Sequence, residues 1–212
     1  MLIIPAINAE TFEEVKNKLE LIKPYTDWAH IDVADGSFAG NILWHNPEDI
    51  GQISGLSLNL EIHLMMSDLE SKIDDWLRSG VKRILFHLNA VGNPDIIIKK
   101  CEEVGIEVGI SISPDESVEK ALSYKDKVDF FQILGVHPGL SGQKTLEGTF
   151  DRIKEVRKFC SSCIIEVDGG MNLETIPKAI EFGANRIVAA SAIFNSGKDI
   201  KEAIEELKNV IR

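Results

Sequence analysis

Two hydrophobic periods alternate along this chain. Short apolar runs, which suit strands buried on both faces, occupy Leu2–Ile7, Trp28–Val33, Leu58–Leu64, Arg83–Leu88, Glu107–Ile112, Val128–Leu134, Ile164–Val167 and Arg186–Ala189. Amphipathic segments fall between them, at Thr11–Ile22, Asp68–Ser79, Pro94–Val104, Ser117–Leu122, Leu146–Phe159, Leu173–Phe182 and Lys198–Val210. In Leu146–Phe159, the residues Leu146, Phe150, Ile153 and Val156 recur at helical spacing among Glu, Lys and Arg. Asn172 is placed to cap the helix that follows it. Gly80, Gly105 and Gly183 each follow a helix, where a left-handed residue is wanted, and each leads into the next strand.

Eight strands in strict alternation with helices imply a parallel sheet with crossover connections. A closed (β/α)8 TIM barrel fits, as a single domain over residues 1–212, near the lower end of length for that fold. A doubly wound open sheet is the alternative. It is weakened because no G-x-G-x-x-G follows the first strand. No linker or low-complexity tract divides the chain, and 44% hydrophobic with 27% charged residues is ordinary for a globular protein.

The net charge of −11 argues against nucleic acid and against an anionic membrane surface as partners. No apolar run is long enough to cross a bilayer. The opening MLIIPAINAE has neither a basic region before its apolar stretch nor a small-residue cleavage site, so the expectation is a cytoplasmic protein. A small anionic substrate would meet an opposing field, which calls for a local positive feature. Cys160 and Cys163 form a lone C-x-x-C between a helix end and a strand, and two reduced thiols are expected there.

Strand parity turns three strands toward chemistry. Residues two apart share a face. In Trp28–Val33, Ile31 and Val33 suit the helix side, which leaves His30 and Asp32 pointing into the barrel near the strand's C-terminal end. The same parity sets His63 with Glu61 and Met65, opposite Ile62 and Leu64, and Asp168 closes a strand just before two glycines. An isolated H-x-D pair is weak evidence, and a lone strand histidine is more often a hydrogen-bonded core residue. Four such residues at three strand ends make a mixed N/O site for one divalent metal: zinc, iron(II), cobalt or manganese.

Gly-rich turns follow the late strands, in HPGLSGQ (137–143), DGGMN (168–172) and AASAIF (189–194). Singly they read as tight βα turns. Three in succession favour phosphate binding through backbone N–H groups. The candidate set is Gly139, Ser141, Gly142, Gly169, Gly170, Ala190 and Ser191.

The stretches HIDVADGSF, EIHLM, ILFHLNA, HPGLSGQK, IEVDGGMN and VAASAIF resemble, in order, those of the ribulose-phosphate 3-epimerase family, metal-dependent barrel enzymes of the pentose phosphate and Calvin pathways. The resemblance implies that His30, Asp32, His63 and Asp168 are metal ligands and that Asp32 and Asp168 are also the catalytic acid/base pair. It places Gly142, Gly169, Gly170 and Ser191 around the substrate phosphate, and Met65 on the site wall. It also implies a homo-oligomer and a sugar phosphate substrate. Epimerisation needs a proton to leave one face of a carbon and another to arrive on the opposite face, which two flanking carboxylates can do. A metal stabilises the enediolate between these steps.

Some positions depart from the family. Ala6 stands where it has serine, Ala34 and Leu134 where it has methionine, His137 where it has asparagine, and Ser141 and Ala190 where it has glycine. The expectation is a reshaped pocket with the chemistry intact. The first reading is therefore D-ribulose 5-phosphate to D-xylulose 5-phosphate. The alternatives are a ketohexose 6-phosphate such as allulose 6-phosphate, or a barrel that binds metal and phosphate metabolite without turnover. Asp35 is assigned to a turn with Gly36, and His87 to either pocket or core. Glu166 has no assigned role, and Trp44 and His45 are placed at the site entrance or a subunit contact.

Overall fold

The computed structural model describes residues 1–139 and 142–211. The elements run β1 (Leu2–Ile7), α1 (Phe12–Ile22), β2 (Trp28–Ala34), β3 (Asn59–Met65), α2 (Leu69–Arg78), β4 (Arg83–His87), α3 (Pro94–Val104), β5 (Glu107–Ile112), α4 (Val118–Leu122), β6 (Phe130–Leu134), α5 (Thr149–Phe159), β7 (Ile164–Asp168), α6 (Thr175–Glu181), β8 (Arg186–Ala189), α7 (Ser191–Phe194) and α8 (Ile200–Val210). Each strand pairs in parallel with the next, and β8 returns to β1 with Leu2 opposite Arg186 and Pro5 opposite Ala189, closing the barrel. This settles the choice against the open sheet. No helix among the described residues is long and apolar enough to cross a membrane.

The two strand faces divide the interior as parity requires. Ile31, Val33, Ile62, Leu64, Ile84 and Phe86 are fully buried in the layer between sheet and helices. Burial of each such side chain contributes about 1.5–3 kcal/mol. The opposite face fills the barrel. Ile4, Ala6 and Val188 form a small apolar cluster there, and polar side chains are buried around it, among them His30, Glu61, His63, Arg83, Gln132 and Glu166. Gly109 makes this filling possible, because a Cβ there would stand 2.6 Å from Phe130 Cζ.

Several boundaries move for local reasons. Leu146 is not helical: its N–H donates to the Gly135 carbonyl at 2.8 Å, and α5 begins only after Gly148. Asn172 does cap the turn entering α6, its Oδ1 accepting the N–H groups of Glu174 and Thr175 at 2.8 and 3.2 Å. Asp199 caps α8 by accepting from Lys201 N, so that helix starts two residues after Lys198. Leu88 belongs to a 3-10 turn (Leu88–Ala90), not to β4, and an unanticipated 3-10 segment spans Pro47–Leu56. Gly80, Gly105 and Gly183 hold the expected positive φ.

The cysteine expectation is corrected. The chain turns back after α5 and brings the Cys160 and Cys163 Cα atoms to 5.4 Å, within the bridging range, and the two are joined as a disulfide. Cys101 is the free, buried cysteine among the described residues.

Candidate active site

The barrel ladder assembles the polar cluster. Asp32 on β2 pairs with His63 on β3, His30 pairs with Glu61, and Asp168 at the end of β7 pairs with Leu134. One ligand atom from each of His30, Asp32, His63 and Asp168 lies within 4.8 Å of all the others. These are the four residues that strand parity singled out, at the C-terminal end of the barrel.

The donor set fits a cation. His63 Nδ1 lies 3.0 Å and His30 Nε2 lies 3.4 Å from the same Asp32 oxygen, Oδ1. His30 Nε2 makes no hydrogen bond although it is completely buried. A buried nitrogen without a partner is costly, and a divalent ion shared by two imidazoles and two carboxylates would satisfy it.

Charges within the cluster pull its two carboxylates apart. Burial opposes the charge on Asp32, but the His30 and His63 imidazoles beside it outweigh that in the metal-free site and hold its carboxyl well below the usual range. Asp168 has no imidazole donor. Burial, together with the charge of Asp32, pushes it up to about 7, although it accepts from Gly169 N at 2.7 Å. Burial also lowers His63, and lowers His87 to about 4. His30 goes the other way: burial disfavours its charged form, but Asp32 and Glu61 overcome that and raise it.

A second polar layer lies beneath. Glu61 Oε1 is 2.8 Å from His30 Nδ1, and its Oε2 accepts from Arg83 Nη1 at 3.3 Å. Glu166 accepts from Gln132 Nε2 at 3.0 Å. Burial and the nearby Glu61 charge raise its carboxyl well above the usual range. Although His30, Glu61 and Glu166 also lie close enough to share an ion, the Arg83 guanidinium already balances that layer.

Above the cluster opens a pocket lined by Asp32, His63, Asp168 and Met65. Its far wall is Gly139, Gly142, Gly169, Gly170, Ala190 and Ser191, from the loops after β6, β7 and β8. His30 lies below the pocket, and Ser141 lies outside the described residues. Among the described residues that line the pocket, none supplies the lysine or arginine charge that would answer the chain's net negative charge. Gly170 is required at its position: its φ is +71°, and a Cβ would stand 2.5 Å from Thr145 N.

Asn8 escaped the sequence reading. It lines the pocket, and its Nδ2 lies 3.4 Å from Asp32 Oδ2. Its signal was present in the sequence, since Asn8 continues the inward parity of Ile4 and Ala6 just past the end of β1. Of the departures from the family, Leu134, His137 and Ala190 face the pocket. Ala34 does not: it packs under Leu43 and Met65, covered by Phe38, so the loop after β2 fills that space. Ala6 packs against Ile4 and Val188.

The placement of Trp44 is corrected. It is 5% exposed, in edge contact with Trp76 and packed on Phe12, because the loop after β2 tucks its indole under the helices rather than toward the site entrance. His45 is exposed, with Nδ1 2.7 Å from the Leu43 carbonyl. His87 proves to be a core residue, stacked on Phe38 and 2.8 Å from His63. Asp35 forms the expected turn, accepting from Ser37 N at 3.0 Å, and also pairs with Lys72 at 2.8 Å.

Residues 2–194 match the model of the Ribulose-phosphate 3 epimerase family. The chain is 32% identical to ribulose-phosphate 3-epimerase of Bacillus subtilis (strain 168) over 97% of both chains. It is 30% identical to that of Schizosaccharomyces pombe over 99% of this chain and 93% of the other. A chloroplastic ribulose-5-phosphate-3-epimerase of Arabidopsis thaliana is 29% identical over 98% of this chain and 76% of that one. Among solved structures, 3-hexulose-6-phosphate synthase from Salmonella typhimurium superposes with a TM-score of 0.77 at 15% identity, covering 100% and 98% of the two chains. That likeness concerns the fold.

Proposed function

The chain belongs to the ribulose-phosphate 3-epimerase family and is a carbohydrate epimerase, and from that premise we propose that it interconverts D-ribulose 5-phosphate and D-xylulose 5-phosphate. The observation that carries this reading is the convergence of two carboxylates and two imidazoles at the floor of a pocket whose far wall is glycine-rich backbone.

Asp32 and Asp168 act on the C3 proton from opposite faces. In the metal-free site their environments push them apart, with Asp32 held low and Asp168 raised to about 7. One carboxylate is thus ready to accept a proton while the other can donate, and the reverse reaction exchanges the roles. His30, Asp32, His63 and Asp168 would hold the cation. When bound, it supplies positive charge that offsets the negative charge developing on the ketose oxygens. The buried walls, His63 among them, limit competing water at the reacting carbon. Backbone N–H groups at Gly142, Gly170 and Ser191 take the phosphate, Gly169 gives its own N–H to Asp168, Gly139 and Ala190 complete the wall around them, and Met65 packs on the sugar.

Turnover assays on ribulose 5-phosphate and allulose 6-phosphate, with the protein loaded in turn with Zn(II), Fe(II), Mn(II) and Co(II), test this reading. We expect the pentose to be preferred, and Asp32→Asn or Asp168→Asn to lose about 10²–10⁴-fold in kcat. Preference for the hexose would move the assignment to a ketohexose 6-phosphate. Tight binding without turnover of either sugar would make the barrel a binding protein.

A further inference from the structure

Each of the two histidines in the cluster has a second nitrogen pointed away from it, and both of those nitrogens are engaged. His30 Nδ1 lies 2.8 Å from Glu61 Oε1. An ionised carboxylate can only accept, so Nδ1 carries the hydrogen, and in the neutral ring that metal ligation requires Nε2 keeps its lone pair. Nε2 is the atom that lacks a hydrogen-bond partner and faces Asp32. Glu61 is itself held by Arg83 at 3.3 Å, and the Arg83 guanidinium lies 3.4 Å from the centre of the Trp28 ring.

His63 is oriented the other way round. Its Nε2 lies 2.8 Å from His87 Nε2, and its Nδ1 faces Asp32. His87 Nδ1 points at Ser113 Oγ, 3.1 Å away, and at Glu116 Oε2, 3.7 Å away. Glu116 is pinned by two backbone donors, Ser113 N at 2.7 Å and Asn89 N at 3.3 Å. A carboxylate on that side places the His87 hydrogen on Nδ1, which leaves Nε2 as an acceptor. His63 then donates from Nε2 and turns the lone pair of Nδ1 toward Asp32. A lone pair 3.0 Å from a carboxylate oxygen is repulsive unless a cation lies between them.

We propose that Glu61 and His87 are positioning residues that set the tautomers of the two histidines, so that the metal is taken by Nε2 of His30 and by Nδ1 of His63. The two imidazoles thereby present opposite ring nitrogens to one ion. Glu116 anchors the second relay from the loop between β5 and α4, and Arg83 anchors the first from the start of β4. Partners of this kind tune affinity through ligand orientation and basicity, and their loss typically costs about 10–100-fold in metal affinity. This inference rests on the metal reading of the site.

The test is nitrogen-15 NMR of the zinc-loaded protein with labelled histidine. His30 should show Nδ1–H with Nε2 coordinated, and His63 should show Nε2–H with Nδ1 coordinated. Zinc bound through His63 Nε2 or His30 Nδ1 would overturn the inference while sparing the metal reading. Wild-type protein that takes up none of zinc, iron(II), cobalt and manganese would overturn the metal reading and the inference with it. In parallel, His87→Leu, which offers no acceptor, should raise the zinc Kd about 10–100-fold. His87→Gln, whose amide oxygen can still accept, should restore most of that affinity. Both variants are to be checked as folded by circular dichroism and melting. Equal zinc affinity in wild type and folded His87→Leu contradicts the positioning role, as does equal loss in both variants.

Discussion

Asn8 Nδ2 stands 3.4 Å from Asp32 Oδ2 and 3.4 Å from the Gly139 carbonyl, so one amide links the end of β1 to a carboxylate of the cluster and to the loop after β6. Its own carbonyl accepts from Lys18 Nζ at 2.8 Å, which ties the segment down. Hydrogen bonds to charged groups contribute about 1.5–3 kcal/mol, and this one is long, so the low end applies. Asn8→Ala should lower kcat/KM about tenfold with little change in melting temperature. Steady-state kinetics beside a thermal melt separates this from a general loss of fold.

Asp168 should leave a signature in the stability of the metal-free protein. Its folded value, about 7, lies above the ordinary carboxylate value because burial and Asp32 disfavour its charge. The unfolded chain therefore gives up this proton first, and the native state binds more protons between about pH 4 and 7. Stability contributed by this group falls as pH rises through that window and levels off above it. In the presence of a chelator, the urea midpoint of wild type should drop between pH 5 and 8 relative to that of Asp168→Asn. Equal slopes for the two proteins would refute the shift.

Thiol chemistry offers an independent check on the fold. Cys160 and Cys163 are bonded, and burial pushes the Cys101 thiol up to about 12. Ellman titration of native, unreduced protein should find no reactive thiol. The same protein in denaturant should expose Cys101 alone, and reduction in denaturant should release all three cysteines.

Gly170→Ala should harm both stability and phosphate binding. The position combines φ +71° with a 2.5 Å approach of the new Cβ to Thr145 N, a backbone atom that cannot swing aside. Strain of this kind costs about 1–3 kcal/mol. A lower melting temperature together with a raised KM is the expected result.

The parts of the site legible in the sequence were those governed by strand period. His30, Asp32 and His63 were found because apolar Ile31, Val33, Ile62 and Leu64 claim the other face, and the fold buries all four of these completely. Where a loop decided, composition was a poor guide. Trp44, expected at the site entrance or a subunit contact, serves the core, and the space beside Ala34 is filled by Phe38 and Leu43, which no local pattern announces. The Cys160–Cys163 bond depends on how the chain turns back after α5, and the C-x-x-C spacing alone did not reveal it. The second nitrogen of each histidine was equally hidden. His63 and His87 meet only through the pairing of β3 with β4, which sets His63 opposite Leu85 and brings the two rings side by side.

The central claim is proton transfer at C3 of a ketose phosphate between Asp32 and Asp168. Incubating the metal-loaded protein with ribulose 5-phosphate in deuterated water and following C3 by proton NMR tests it directly. The account predicts loss of the C3 proton signal and the appearance of xylulose 5-phosphate carrying deuterium at C3. Absence of C3 exchange with every one of zinc, iron(II), manganese and cobalt would contradict it.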